Sequence, residues 1–275
     1  MPFTREIEVA LTAARAAADR IRDLYASGVE VAWKGHDDPV TTADREANAM
    51  IVAALHAAFP DDGICAEESD AAESSDAAAR GGRCWFIDPL DGTKDFVQRN
   101  DEFCVMVGLA VHGRSALGII VVPITGLALV GVTGEGAWSI DPAGTRVQLT
   151  VHPVTSVPAA RMIGSRSHPH PRVTALGVAL GVTDVLARGS VGLKVAAVAT
   201  GESDLYAHFG RGPKLWDSCA PEAIARGAGA MVTDTHGREI IYDTADLGLD
   251  DGLVVAHADL HAAALEELAR LATAG

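Results

Sequence analysis

The spacing of hydrophobic and polar positions changes twice along the chain. Between residues 4 and 28, apolar residues recur at intervals of three and four, which predicts an amphipathic helix. A polar loop is predicted to start at Lys34 and to lead into a second helix. That helix is expected to begin at Thr41 or Thr42, whose hydroxyls can cap it, and to end before Pro60.

The middle of the chain has a β pattern. Between residues 103 and 151, short apolar or alternating runs are separated by turns that contain glycine or proline, as in an antiparallel meander. Beyond about residue 155, short strands alternate with helices, which predicts an α/β half. We therefore expect two halves, 1–152 and 153–275.

Composition narrows the class of protein. With 275 residues and 48% hydrophobic content, the chain can bury a large core. The longest apolar run, over 116–123, is far shorter than the roughly 20 residues of a membrane span. Charged residues interrupt the first 25 positions, unlike the core of a signal peptide, so we expect a cytoplasmic protein.

The formal net charge of −15 argues against binding to a nucleic-acid polymer or an anionic membrane. A small anionic substrate remains compatible with this charge if metal ions supply positive charge locally. The four cysteines, Cys65, Cys84, Cys104 and Cys219, form no C-x-x-C pair and lie mostly in apolar runs. This spacing predicts buried free thiols.

The main candidate for chemistry lies at residues 84–96. The apolar run 84–87 predicts a buried strand that ends next to Asp88. The following proline has no N–H group to donate to a neighbouring strand, so the strand pairing stops there. Asp91 follows three residues later, Gly92 allows a close backbone approach, and Thr93 adds a hydroxyl. Clustered carboxylates suit a hard cation such as Mg²⁺. The same composition also suits an ordinary turn, so these residues alone leave both interpretations open.

Other acids have structural interpretations when taken singly. Asp44 falls in the first turn of the second predicted helix, where a carboxylate interacts favourably with the helix dipole. Glu67 and Glu68 follow a short predicted strand, as acids at a solvated loop edge do. Residues 70–82, rich in Ala, Ser, Asp and Gly, are predicted to form a mobile surface loop.

Three segments together resemble a known family. The stretches 66–69 (Ala-Glu-Glu-Ser), 88–93 (Asp-Pro-Leu-Asp-Gly-Thr) and 216–221 (Trp-Asp-Ser-Cys-Ala-Pro) are similar to the signature segments of the inositol-monophosphatase superfamily, which are Mg²⁺-dependent, lithium-sensitive phosphatases. The resemblance implies a layered αβαβα sandwich, related to fructose-1,6-bisphosphatase. It places an antiparallel sheet in the first half and a smaller mixed sheet in the second. It also implies a homodimer and two or three Mg²⁺ ions.

The resemblance also assigns roles by position. The implied metal ligands are Glu67, Asp88, the Leu90 carbonyl, Asp91 and Asp217. Asp44, Glu67 and Thr93 would act in catalysis, with Thr93 passing a hydrogen bond to Asp44 while it orients the attacking water. The backbone N–H groups of Gly92 and Thr93, and the helix that starts near Asp217, are expected to hold phosphate.

Further segments resemble one branch of that family. Residues 91–103, 164–168, 189–194 and 201–206 are similar to the 3′(2′),5′-bisphosphate nucleotidases. The resemblance implies that the chain removes the 3′-phosphate of 3′-phosphoadenosine 5′-phosphate to give AMP and phosphate. A second phosphate needs a second anion site, for which the expected donors are His168, Ser190 and Lys194. Ser165, in the segment 164–168, is also expected to bind substrate.

The match to the nucleotidases has two departures. One extra residue separates Ser190 from Lys194, and His208 stands where many members have an arginine. An inositol-1-phosphate, sugar-phosphate or specialised-metabolite monophosphatase therefore stays open, and such an enzyme would not need Lys194. A non-catalytic binding relative is the remote alternative. Such a protein should have lost at least one implied metal ligand, whereas all are present.

Overall fold

The computed structural model describes residues 2–28, 31–35, 38–167, 169–210 and 212–273. The strands are Val31–Gly35 (β1), Asp38–Thr41 (β2), Gly63–Ala66 (β3), Arg83–Asp91 (β4), Cys104–Val111 (β5), Arg114–Val121 (β6), Ala128–Val132 (β7), Gly136–Ile140 (β8), Arg146–Leu149 (β9), Arg161–Ser165 (β10), Asp184–Arg188 (β11), Leu205–His208 (β12), Met231–Thr233 (β13) and Leu253–Ala256 (β14). The helices are Thr4–Ser27 (α1), Thr42–Ala58 (α2), Ala71–Ala79 (α3), Thr93–Gln98 (α4), Pro171–Leu180 (α5), Val191–Ala199 (α6), Leu215–Gly227 (α7) and Ala258–Thr273 (α8).

Two sheets organise the fold. The first has seven strands in the order β3-β4-β5-β6-β7-β8-β9, and the predicted antiparallel meander is confirmed from β4 to β9. Its edge strand β3 runs parallel to β4. The second sheet has the order β11-β10-β12-β14-β13 and is mixed, as expected, with parallel pairs around β10 and antiparallel pairs around β14.

Helices and sheets alternate in five layers. Helices α1 and α2 cover the outer face of the first sheet, and α6 and α7 lie between the two sheets. Helices α5 and α8 cover the second sheet. Strand β4 is buried on both faces, since Trp85 packs toward α1 and α2 while Phe86 packs toward α7. The predicted αβαβα sandwich is therefore confirmed.

Two local predictions were wrong. The predicted loop at 70–82 contains helix α3, because the Asp70 carboxylate accepts hydrogen bonds from the N–H groups of Ala72 at 2.9 Å and Glu73 at 3.1 Å. Within the polar loop predicted from Lys34, residues 34–35 and 38–41 belong instead to the antiparallel strands β1 and β2, while 36–37 lie outside the described residues. An isolated two-stranded ribbon tolerates its proline and polar residues better than a central strand would.

A row of glycines lets α7 approach the first sheet closely. Gly108, Gly118 and Gly131 are direct neighbours on β5, β6 and β7. A Cβ on Gly118 would lie 2.0 Å from the carbonyl oxygen of Ala220, and one on Gly131 would lie 2.3 Å from the Cα of Ile224. The backbone of α7 therefore occupies the space that side chains would fill. This close packing holds α7 against the first sheet.

The division of the chain at residues 152 and 153 falls between β9 and β10. Helix α7 belongs to the second half but packs on the first sheet, and the boundary stays a prediction. All four cysteines are buried free thiols, as expected. Across the described ranges, no helix has the length and apolar character needed to cross a membrane.

Candidate active site

A cluster of carboxylates forms where β4 ends and α7 begins. Asp88 and Asp91 come from the end of β4, and Asp217 comes from the first turn of α7. One carboxylate oxygen from each of these residues lies within 4.8 Å of the others. Asp217 is fixed by the N–H of Lys214, 2.5 Å from its Oδ2, and Asp88 accepts a hydrogen bond of 3.0 Å from the N–H of Leu90.

The electrostatics of this cluster favour a bound cation. Burial, together with the charges of Glu67, Asp91 and Asp217, raises the pKa of Asp88 well above its usual range. Burial and the charge of Asp91 raise the pKa of Asp217 to about 7. Carboxylates confined in this way repel one another unless a positive charge lies among them, and an all-oxygen donor set is the one that Mg²⁺ prefers. The residues present therefore fit a magnesium site.

Asp91 is held by the N-terminus of α6. Its Oδ2 accepts hydrogen bonds from the Ser190 hydroxyl at 2.5 Å and from the Gly192 N–H at 2.6 Å. The Ser190 oxygen also caps the helix by accepting a hydrogen bond of 3.0 Å from the Leu193 N–H. Ser190, which the sequence predicted as a phosphate donor, therefore directs its hydroxyl proton to Asp91 in this structure.

Thr93 and Asp44 meet, as the family resemblance implied. The Thr93 hydroxyl lies 2.9 Å from Asp44 Oδ1 and 3.1 Å from the Leu90 carbonyl oxygen. The other carboxylate oxygen of Asp44 accepts hydrogen bonds from the N–H and hydroxyl of Thr41, at 2.7 and 2.6 Å. Burial raises the pKa of Asp44, although these hydrogen bonds to the carboxylate oppose the shift.

A cavity of about 650 Å³ opens beside the carboxylates. Lys194, on α6, lines it and is almost fully buried, with 3% of its surface exposed. Burial lowers the pKa of Lys194, against the attraction of Asp91, Asp95 and Asp217. Its ammonium nitrogen lies 5.6 Å from the centre of the Tyr206 ring. A buried cation on a cavity wall is a natural contact for an anionic ligand.

The structure brings most of the predicted site together. The predicted residues that line the cavity are Glu67, Asp91, Gly92, Thr93, Ser165, Ser190, Lys194 and Asp217. Asp44, Asp88 and Leu90 are buried next to them through the contacts above. His168 lies outside the described residues. His208, noted for its departure from the nucleotidase pattern, also lines the cavity.

Some cavity residues were not singled out from the sequence. Asp95, Tyr206 and Trp216 line the cavity, and Tyr206 and Asp95 are buried. The Tyr206 hydroxyl oxygen is buried and has no hydrogen-bond partner among the described residues. Tyr206 ends the segment 201–206 that resembles the nucleotidases, but the resemblance assigned it no role. Asp95 was visible in the motif at 91–103 but had no assigned role.

Comparisons with known proteins agree with this geometry. Residues 4–274 match the Inositol monophosphatase family. The chain is 35% identical over 244 residues to the 3′(2′),5′-bisphosphate nucleotidase CysQ of Salmonella typhimurium. The alignment covers 88% of this chain and 96% of CysQ. It is 31% identical over 239 residues to the Nus factor SuhB of Vibrio cholerae. That alignment covers 84% of this chain and 85% of SuhB.

Solved structures show the same fold. CysQ from Bacteroides thetaiotaomicron is 28% identical and superposes with a TM-score of 0.77 over 93% of this chain and 98% of that one. An IMPase from Thermotoga maritima superposes with a TM-score of 0.81 over 98% of this chain and 99% of that one. At 24% identity, the second likeness concerns the fold alone.

Proposed function

Because this chain belongs to the inositol monophosphatase family, and is therefore a phosphatase, we propose that it is a Mg²⁺-dependent phosphomonoesterase whose substrate carries a second phosphate. The substrate we propose is 3′-phosphoadenosine 5′-phosphate, which would be converted to AMP and phosphate. The similarity to CysQ supports this choice, while the similarity to SuhB shows that family membership alone does not select a substrate.

The proposed metal ligands are the side chains of Glu67, Asp88, Asp91 and Asp217 with the Leu90 carbonyl oxygen. Their support is the cluster of Asp88, Asp91 and Asp217, and the position of Glu67, Asp91 and Asp217 on the cavity wall. When bound there, Mg²⁺ would neutralise charge on the phosphoryl group and make water more acidic.

Thr93 and Asp44 are the proposed proton acceptors. If the Thr93 hydroxyl donates to Asp44, its lone pairs are left to accept a hydrogen bond from a water in the cavity. The raised pKa of Asp44 makes its carboxylate a stronger base than an exposed aspartate. The pair can thus orient the attacking water and accept its proton without a covalent phosphoenzyme.

The observation that carries the bisphosphate proposal is the buried Lys194 ammonium on the wall of the same cavity as the acidic cluster. Phosphate hydrolysis at the carboxylates needs no cation from the protein at this place, since the metal ions supply the charge there. A second phosphate on the substrate would add an interaction with the Lys194 ammonium to the attraction that Asp91, Asp95 and Asp217 already exert.

Replacing Lys194 by methionine tests this role, because methionine keeps much of the apolar volume and removes the charge. The matched substrates are 3′-phosphoadenosine 5′-phosphate and adenosine 3′-phosphate, which lacks the 5′-phosphate. We expect kcat/KM for the bisphosphate to fall by about 10- to 100-fold, as for loss of one hydrogen bond to a charged group, with little change for the monophosphate. An equal loss on both substrates would contradict the second anion site.

The alternative is a monophosphatase acting on inositol 1-phosphate or a sugar phosphate. The observation that favours it is His208, which replaces the arginine of many nucleotidases and lines the cavity. A neutral imidazole would hold a second phosphate weakly at neutral pH. Faster turnover of inositol 1-phosphate than of the nucleotide would establish this alternative. Lithium inhibition and a homodimer are further proposals from the family resemblance, open to inhibition and sedimentation measurements.

A further inference from the structure

Glu102 connects two separate segments of the cavity wall. It lies between α4 and β5, and 20% of its side chain is exposed. Its Oε2 accepts a hydrogen bond of 2.6 Å from the Gly189 N–H, and its Oε1 accepts one of 2.7 Å from Arg166 Nη2. The two oxygens of one carboxylate therefore join the segment after β10 to the turn before α6.

The first of these segments contributes directly to the cavity. Arg166 stands between Ser165 and Ser167, both of which line it. The Arg166 side chain also donates to the Ala187 carbonyl at 3.1 Å, and its backbone N–H donates to the Arg188 carbonyl at 3.1 Å. Glu102 thus binds the same Arg166 side chain that holds this segment against β11.

The second segment controls a carboxylate of the acidic cluster. Gly189 precedes Ser190, whose hydroxyl binds Asp91. A Cβ on Gly189 would lie 2.1 Å from Asp95 Oδ2, so the turn is packed tightly against a second acid. Ser190 has a φ of 56°, which is unfavourable for a residue with a side chain. A turn in this conformation depends on the contacts around it, and the Glu102 hydrogen bond is one of them.

We propose that Glu102 is a positioning residue that holds Arg166 and the Gly189–Ser190 turn in the arrangement required by substrate and by Asp91. The expected effect of Glu102 on catalysis rests on the proposed phosphatase function. An ordinary surface ion pair contributes little, but loss of Glu102 would also leave the N–H of the buried Gly189 without its acceptor. Loss of Glu102 should therefore weaken substrate binding and Mg²⁺ binding together.

The test compares Glu102→Ala and Glu102→Gln with Glu239→Ala. Glu239 pairs with Arg114 at 2.7 Å and does not line this cavity, so it controls for loss of an ion pair elsewhere. Three measurements are made on each protein. The kinetics of phosphate release give KM and kcat, and a titration of the melting temperature gives the Mg²⁺ concentration for half of its maximal rise. The third is the rate of trypsin cleavage after Arg166.

For Glu102→Ala we expect KM to rise about tenfold, the Mg²⁺ midpoint to rise several-fold, and cleavage after Arg166 to accelerate about tenfold. The amide oxygen of Glu102→Gln can still accept from Gly189, so its Mg²⁺ midpoint should return toward that of the wild type. The uncharged amide holds Arg166 less firmly, so cleavage should stay faster than in the wild type. Glu239→Ala should match the wild type in all three measurements.

The proposal is overturned if Glu102→Ala behaves like Glu239→Ala. It is also overturned if only the KM and the cleavage rate change, or only the Mg²⁺ midpoint. Faster cleavage with an unchanged Mg²⁺ midpoint would refute the coupling to Asp91. A wild-type protein that releases no phosphate from any phosphomonoester would refute the proposed function instead. In that case, cleavage and the Mg²⁺-dependent melting temperature still decide whether Glu102 holds both segments.

Discussion

Replacing Gly118 by alanine tests whether the close packing of α7 on the first sheet positions the acidic cluster. The new Cβ would lie 2.0 Å from the Ala220 carbonyl oxygen, which is backbone and cannot rotate away. To reach an ordinary contact, β6 and α7 would have to separate by more than about 1 Å, in an interior that is close-packed.

This separation should affect both stability and chemistry. We expect the free energy of unfolding, measured by urea denaturation, to fall by about 1–3 kcal/mol, as for other overpacked cores. Because Asp217 lies at the start of α7, a displacement of about 1 Å should also reduce kcat/KM by up to about 100-fold. The Mg²⁺ concentration needed for half-maximal activity should rise at the same time.

Gly177→Ala is the matched control. Gly177 is helical, has a φ that any residue can adopt, and its Cβ would meet the nearest side-chain atom, Met162 Sδ, at 3.6 Å. This variant should be as stable as the wild type or more stable by about 0.5–1 kcal/mol, with unchanged kinetics. If Gly118→Ala showed the same stability, kcat/KM and Mg²⁺ midpoint as Gly177→Ala, the argument that the glycine row positions Asp217 would be refuted.

Three further predictions concern single side chains. Asp88→Asn should lower kcat/KM by at least about 100-fold and, by relieving repulsion among the acids, raise the melting temperature of the metal-free protein. Unchanged activity or a lower metal-free melting temperature would contradict this. Thr93→Val should lower kcat by about 100-fold or more while the fold stays intact, because Thr41 still holds Asp44; wild-type kcat would exclude the hydroxyl from catalysis. Burial lowers the pKa of His261, so the unfolded chain binds a proton first as pH falls below about 6.5, and stability decreases. Urea denaturation at pH 7.5 and 5.5 should show a smaller decrease for His261→Gln, and an equal decrease would refute this assignment.

The acidic cluster was predictable because its residues lie in short segments whose order and spacing resemble a family pattern. Asp88 and Asp91 are also held at the end of a strongly apolar strand, which the hydrophobic run predicts. Helix α3 was missed because it is formed by small and polar residues, and the β1–β2 ribbon because its two strands are only five and four residues long and contain proline, lysine and aspartate. Their formation depends on a side-chain cap and on strand pairing, which composition does not show.

The position of α7 could not be predicted from local sequence. Glycines at 108, 118 and 131 weaken a strand when each is considered alone, and only strand register brings them into one row. The same limit applies to Ser190, whose hydroxyl meets Asp91 from 99 positions away. Glu102 was visible in the motif at 91–103, but its two hydrogen-bonded segments lie 64 and 87 positions away.

The central claim is that the acidic cluster and Lys194 together form a Mg²⁺-dependent bisphosphate phosphatase site. Phosphate release by the wild-type protein tests it most directly, with 3′-phosphoadenosine 5′-phosphate, inositol 1-phosphate and several sugar phosphates as substrates. The rates are compared with Mg²⁺ and with excess chelator. We expect no release in the chelator and, with Mg²⁺, a kcat/KM for the nucleotide at least about tenfold above that of any monophosphate. Release that persists without metal, or a preference for a monophosphate, would contradict the claim.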